Sequence, residues 1–191
     1  MALAPAIASG MDRAGLQSAL APGAARNALD CAFWDLESKR TDRPVWDLAG
    51  LKAPVPVQTA FTLSADTPDS MAQAAAENAE RPLLKLKLTG VDDLDRVRAV
   101  HARAPQSRLI VDANEAWDAL AYTRQHAALA AMGVALIEQP LPQGADSDLA
   151  RLARPVPVCA DESFRDAASI PALVGKYDFV NIKLDKTGGL T

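Results

Sequence analysis

Five ionisable residues recur along this chain at nearly constant intervals. Lys87, Asp112, Glu138, Asp161 and Lys183 are separated by 25, 26, 23 and 22 residues. Each closes a short apolar run: LLKLK for Lys87, with Lys85 two residues before it, then LIVD, ALIE, VCAD and FVNIK. Three carboxylates on successive segments make an oxygen-only donor set without His or Cys, which suits Mg²⁺ with positions left for substrate oxygens. A lysine at each end of the series adds two groups able to carry a proton. Such a set could take a proton from one face of a carbon beside a carboxylate and return it to the other. The cation would stabilise the enolate formed in between. A lysine base must be neutral to act. Lys85 beside Lys87, together with the cation's charge, is expected to lower the pKa of Lys87. Taken singly, each residue has a plainer role. An acid after a strand can cap a helix, and a lysine at a strand end can reach out to solvent along its alkyl stem.

The elements that would position these residues alternate regularly. Strands are expected over Val55–Leu63, Leu83–Leu88, Leu109–Ala113, Ala135–Glu138, Val156–Ala160 and Phe179–Leu184. Amphipathic segments lie between them at Ser70–Glu80, Asp92–Arg103, Ala116–Ala131, Ser147–Arg154 and Asp166–Val174. Strand–helix alternation implies βαβ units and a parallel sheet. One site residue per unit would then place all five on equivalent strand ends, the active-site mouth of a (β/α) barrel. With eight strands in the barrel, the second and sixth would face each other, and Lys87 and Lys183 would flank a bound substrate. The fold class expected is therefore α/β, a partial TIM-type barrel of about six strands. No Gly-rich phosphate loop follows any strand.

Upstream, Ala24–Arg40 reads as a helix with Lys39 and Arg40 in its last turn, where they complement the helix dipole. Residues 1–23 suggest a short helix between turns, and VWDLAGL a turn. Composition is that of a soluble globular protein: 191 residues, 49% hydrophobic, 23% charged, net charge −4. That balance argues against nucleic-acid and anionic-membrane partners. Two distant cysteines, Cys31 and Cys159, and two histidines indicate neither a disulfide framework nor a zinc site. The opening MALAPAIASG lacks a basic lead and a long apolar run, so a cytoplasmic location is expected.

Several of these stretches resemble the enolase superfamily, in its muconate-lactonising subgroup. They are K-x-K at Lys85–Lys87, V-D-A-N at Val111–Asn114, E-Q-P at Glu138–Pro140 and A-D-E-S at Ala160–Ser163. NIKLDKTGG, Asn181–Gly189, is most similar to the dipeptide epimerases, typified by L-Ala-D/L-Glu epimerase. Ala28–Leu51 resembles the junction between that family's capping domain and its barrel. The resemblance implies residues 1–52 as a remnant of an α+β capping domain with its junction helix, and 53–191 as the partial barrel. It implies Lys87 and Lys183 as acid/base catalysts, Asp112, Glu138 and Asp161 as ligands of one Mg²⁺, and Lys85 and Thr62 as substrate-binding residues. The expected activity is 1,1-proton transfer on a dipeptide. Muconate cycloisomerase and o-succinylbenzoate synthase, which share these residues, are alternatives. The family's usual opening strands and its last two strand–helix units are not recognisable here. An inactive truncated fragment, prone to self-association through open barrel edges, is therefore a further expectation.

Overall fold

The computed structural model describes residues 3–191; the first two residues of the opening stretch and of the expected 1–52 segment lie outside the described residues. The chain forms two compact units. One comprises residues up to Pro56 with 165–167 and 182–191, and the other comprises 57–164 with 168–181.

In the first unit, α1 (Ala4–Ala8) and α2 (Arg13–Ala19) replace the single short helix expected. Asp12 caps α2 by accepting the Gly15 N–H at 2.8 Å. The long helix α3 (Ala24–Thr41) ends on Asp42 in the left-handed region, and the expected turn at VWDL is the helical turn α4 (Val45–Leu48). Trp34 and Asp30 are the buried residues of α3. The Arg13 guanidinium stacks over the Trp34 ring at 3.3 Å while pairing with Glu37 at 2.7 Å.

The second unit holds a parallel sheet in sequential order: β1 (Phe61–Leu63), β2 (Leu83–Lys87), β3 (Arg108–Asp112), β4 (Val134–Glu138), β5 (Val158–Ala160) and β6 (Phe179–Val180). The connecting helices are α5 (Pro68–Ala76), α6 (Asp93–Arg103), α7 (Ala119–Ala131) and α8 (Ile170–Leu173). Strand alternation divides the sheet's faces. Leu84, Leu86, Leu109, Val111 and Ile137 are buried in a core with Met71, Val97, Val100 and Leu129 from α5, α6 and α7. Lys85 and Lys87 point to the other face. This is six strands of a (β/α) barrel, with ionisable residues on the face opposite the helices.

Several expected elements are shorter. The first strand was expected from Val55, but Pro54 and Pro56 lack a backbone donor, and Val55 and Val57 are 74% and 77% exposed, so pairing begins only at Phe61. The Ser147–Arg154 helix is a 3₁₀ turn at Ser147–Ala150, and Asp166–Val174 is a 3₁₀ turn followed by α8. The sixth strand stops at Val180. The chain then enters α9 (Leu184–Thr187), part of the first unit, whose carbonyls at Thr187 and Gly188 accept from the Arg26 guanidinium at 2.7 and 3.1 Å. No helix among the described residues is long and apolar enough to cross a membrane.

Candidate active site

Lys87, Asp112 and Glu138 are the last residues of β2, β3 and β4, and they stand in register across the three strands. A shift in pairing creates that row. Leu109 pairs with Val134 but Ile110 pairs with Leu136, so β4 carries one extra residue. Without it, Asp112 would oppose Ile137, whose side chain belongs to the helix-covered core, because a one-residue slip exchanges the two faces.

The row is bound together by lysines. Lys85 Nζ sits 2.9 Å from Asp112 Oδ2 and 2.6 Å from Glu138 Oε2, and Lys87 Nζ donates to the same Asp112 oxygen at 2.6 Å. Asp112 is fully buried and Glu138 nearly so. Burial disfavours the charge on Lys85, but its hydrogen bonds to Glu138 and then Asp112 outweigh that penalty and hold its pKa above the ordinary lysine value. Asp112 Oδ1 accepts the Asn114 N–H at 3.1 Å, and Glu138 Oε1 accepts from Asn181 Nδ2 at 3.0 Å.

Beyond the row, the chain turns under constraint. Asn114, Glu115 and Gln139 all have positive φ, at 46°, 65° and 35°. Backbone bonds between neighbouring loops fix these conformations: Ala113 N–H to Glu138, Glu115 N–H to Gln139 and Gln139 N–H to Cys159, at 2.8–3.0 Å. Non-glycine residues in such conformations persist where their surroundings over-determine them, typically at functional sites.

The equivalence of strand ends extends to three of the five residues. The row continues to Cys159 and then Phe179. Asp161 lies two residues further along its segment and Lys183 four. Asp161 is buried and follows β5 directly, in a bend just past the strand end. Lys183 is not at the end of the sixth strand as expected. It is exposed, occupies the N-cap position of α9 and belongs to the first unit. The single-strand reading failed there because β6 is an edge with a neighbour on one side only. Thr62 is exposed on β1 and pairs in register with Lys85.

These residues fit a hard cation. Asp112 and Glu138 already share one ammonium, and their donors are all carboxylate oxygens. Glu162 Oε2 is buried without a hydrogen bond, and its carboxyl is held above the ordinary range by burial and then by the charges of Asp161, Asp112 and Glu115. A positive charge would relieve that repulsion. Among the described residues, no three His, Cys, Asp or Glu side chains are already grouped as a metal would require; the lysines, rather than a third acid, gather Asp112 and Glu138.

Sequence reasoning missed two residues of this neighbourhood, Gln139 and Asn181. Both lie inside recognised motifs, E-Q-P and NIKLDK, where they drew notice only as letters of the pattern. The burial and the distant partners that distinguish Gln139 are visible only in the fold.

Comparison with known proteins agrees with this architecture. The chain is 46% identical over 193 residues to L-Ala-D/L-Glu epimerase of Escherichia coli (strain K12), an alignment that takes in 100% of this chain and 60% of that one. It is 47% identical over 181 residues to N-acetyl-D-glutamate racemase of Pseudoalteromonas, covering 95% of this chain and 57% of that one. A crystal structure of an enolase family member from Agrobacterium tumefaciens with homology to dipeptide epimerases, containing sodium and L-Ala-L-Glu, superposes with a TM-score of 0.95 at 48% identity. That superposition covers 98% of this chain and 58% of the other. The chain thus spans about 60% of the length of these relatives, and the epimerase and the racemase among them are isomerases. Residues 2–50 match the mandelate racemase/muconate lactonizing enzyme N-terminal domain. Residues 69–191 match the enolase C-terminal domain-like family, and the chain belongs to that family, within the enolase superfamily.

Proposed function

We propose that this chain carries the proton-transfer machinery of a Mg²⁺-dependent epimerase acting on a dipeptide of the L-Ala-D/L-Glu type. The observation that carries the reading is the in-register row of Lys87, Asp112 and Glu138, bridged by Lys85. Asp112, Glu138 and Asp161 would hold the cation. When bound, the cation supplies electrostatic stabilisation for the negative charge that develops as the substrate loses its α-proton.

The two lysines of K-x-K divide the remaining work. Lys85, held protonated by two carboxylates, is a fixed positive charge for the substrate carboxylate. Lys87, with its side chain 36% exposed and one acidic partner, is free to exchange a proton at Nζ. Lys183 would be the second acid/base, returning a proton to the opposite face of the α-carbon. Thr62 would contact substrate from the position beside Lys85.

A second reading has its own support. The N-acetyl-D-glutamate racemase relative is as similar as the dipeptide epimerase. Both substrates present a glutamate acylated on its nitrogen, by alanyl in one and acetyl in the other, so the reacting carbon is the same. Incubating the protein and Mg²⁺ in D₂O with L-Ala-L-Glu, or with N-acetyl-L-glutamate, separates the two. Loss of the glutamyl α-proton signal from the dipeptide at the higher kcat/KM supports the proposal. Preference for the N-acetyl compound replaces it with the racemase reading, and no exchange with either overturns both.

A further inference from the structure

Gln139 follows the strand-end acid Glu138 and is fully buried. Its amide is used at both ends. Oε1 accepts the backbone N–H of Asp161 at 2.9 Å and of Ser163 at 3.1 Å. Nε2 lies 2.8–2.9 Å from three acceptors, the Leu141 carbonyl, Ser163 Oγ and Tyr177 Oη. The orientation is unambiguous, because turning the amide over would set two donors against two backbone N–H groups. Ser163 and Tyr177 in turn donate to Asp146 Oδ2, each at 2.7 Å, and Lys176 pairs with Asp146 Oδ1 at 2.6 Å. Gln139 therefore joins the end of β4 to the segment that leaves β5, with a buried polar network behind it.

We propose that Gln139 is a positioning residue that sets where Asp161 stands relative to Glu138, and thereby sets the affinity of the site for a divalent cation. The inference rests on the reading of Asp112, Glu138 and Asp161 as the cation's ligands. Gln139 is bonded through the chain to one of those acids and hydrogen-bonded to the backbone of another. Its left-handed backbone, φ 35°, is fixed by the Gln139 N–H to Cys159 carbonyl bond at 2.8 Å, so the side chain enters from a determined direction. Two adjacent strand ends are thus clamped at one spacing by side-chain as well as ladder bonds.

The test combines residue-resolved amide hydrogen exchange with calorimetric Mg²⁺ titration on the wild type, Gln139→Leu and Tyr177→Phe. Gln139→Leu should speed exchange at the Asp161 and Ser163 amides at least tenfold and weaken Mg²⁺ binding at least tenfold. Tyr177→Phe, which leaves both Oε1 bonds in place, should lower Tm while keeping the Asp161 amide protected and Mg²⁺ affinity within twofold of wild type. Unaltered exchange at Asp161 in Gln139→Leu, or Mg²⁺ affinities that follow Tm in both variants, would overturn the inference. If Gln139→Leu does not fold, Gln139→Glu takes its place. It keeps an acceptor for the two amides but sets an oxygen against the Leu141 carbonyl, so weaker Mg²⁺ binding with Asp161 exchange slower than in the unfolded chain is expected, and unchanged Mg²⁺ affinity overturns the inference. A wild type that binds no Mg²⁺ overturns the cation reading and the affinity half of this inference, while Asp161 exchange still decides whether Gln139 holds that residue.

Discussion

The central strands β2, β3 and β4 each run five residues, whereas the edge strands β1 and β6 run three and two. Pairing accounts for part of the difference, since β5 is paired on both sides and still runs only three residues. A central strand satisfies backbone donors and acceptors on both sides, while an edge strand leaves one side to solvent and gains packing on fewer neighbours. Three residues proposed to do chemistry lie at central strand ends, where register, burial and ion pairs fix them together. Lys183, assigned the same chemistry, follows an edge strand and is exposed. The structure contrasts a rigid half, three strand ends held in register by ion pairs, with an exposed residue beyond an edge strand, and the proposed acid/base pair draws one lysine from each.

Mutations can break or sharpen that contrast. The largest effect should come from Leu86→Ala, which empties a fully buried position between Lys85 and Lys87 and should cost about 3 kcal/mol in urea unfolding. An effect below about 1 kcal/mol would show that the central strands are not the rigid half. Next is Gly189→Ala. Gly189 has φ 116°, and a β-carbon there would collide with the buried Asp30 carboxylate, which also accepts the Thr191 N–H at 3.0 Å. A loss of about 2 kcal/mol is expected from strain and displacement, also read by urea unfolding. A neutral result would mean that the segment after Lys183 is not held where the Gly188–Gly189 pair places it.

Asp146→Asn probes the network behind Gln139. Burial alone would raise the Asp146 pKa, but hydrogen bonds from Lys176, Tyr177 and Ser163 prevail and lower it. Its folded value therefore lies below its unfolded one. The stabilisation is present above about pH 4, the ordinary aspartate range, and is lost as pH falls through the folded value. Asp146→Asn should cost about 1.5 kcal/mol at pH 7, and the gap from wild type should narrow on acidification in parallel denaturation series. A gap that is constant with pH would remove the carboxylate from the account. The smallest effect is expected from Ile182→Ala, at a residue 66% exposed, within about 0.5 kcal/mol of wild type by the same measurement.

The same contrast explains what could be read from the chain alone. The central strands were legible because alternation and burial agree there, whereas α3 was legible from its length and the basic residues of its last turn, with Trp34 its one buried apolar residue. The apolar runs LLKLK, LIVD and ALIE are strands on both local and tertiary grounds. Val55–Ala60 and Asn181–Leu184 carry strand-forming residues but have no ladder partners, and propensity without pairing does not make a strand. The residue types at the site were legible from spacing. The extra residue in β4 that aligns Glu138 with Asp112 was not, since the 26-residue step from Asp112 to Glu138 looks like ordinary variation in loop length. Nor was the role of Gln139, whose partners Ser163 and Tyr177 lie 24 and 38 residues away.

The central claim is that Lys87 and Lys183 act on opposite faces of one carbon. The direct measurement is α-proton exchange in D₂O, followed by ¹H NMR, for L-Ala-L-Glu and L-Ala-D-Glu separately with Lys87→Ala and with Lys183→Ala. With one base removed, the other can still exchange the proton on its own face but cannot complete inversion. The account predicts that neither variant epimerises, and that one exchanges only the L-Glu dipeptide and the other only the D-Glu dipeptide. Exchange of the same epimer by both variants, or continued epimerisation by either, would contradict it.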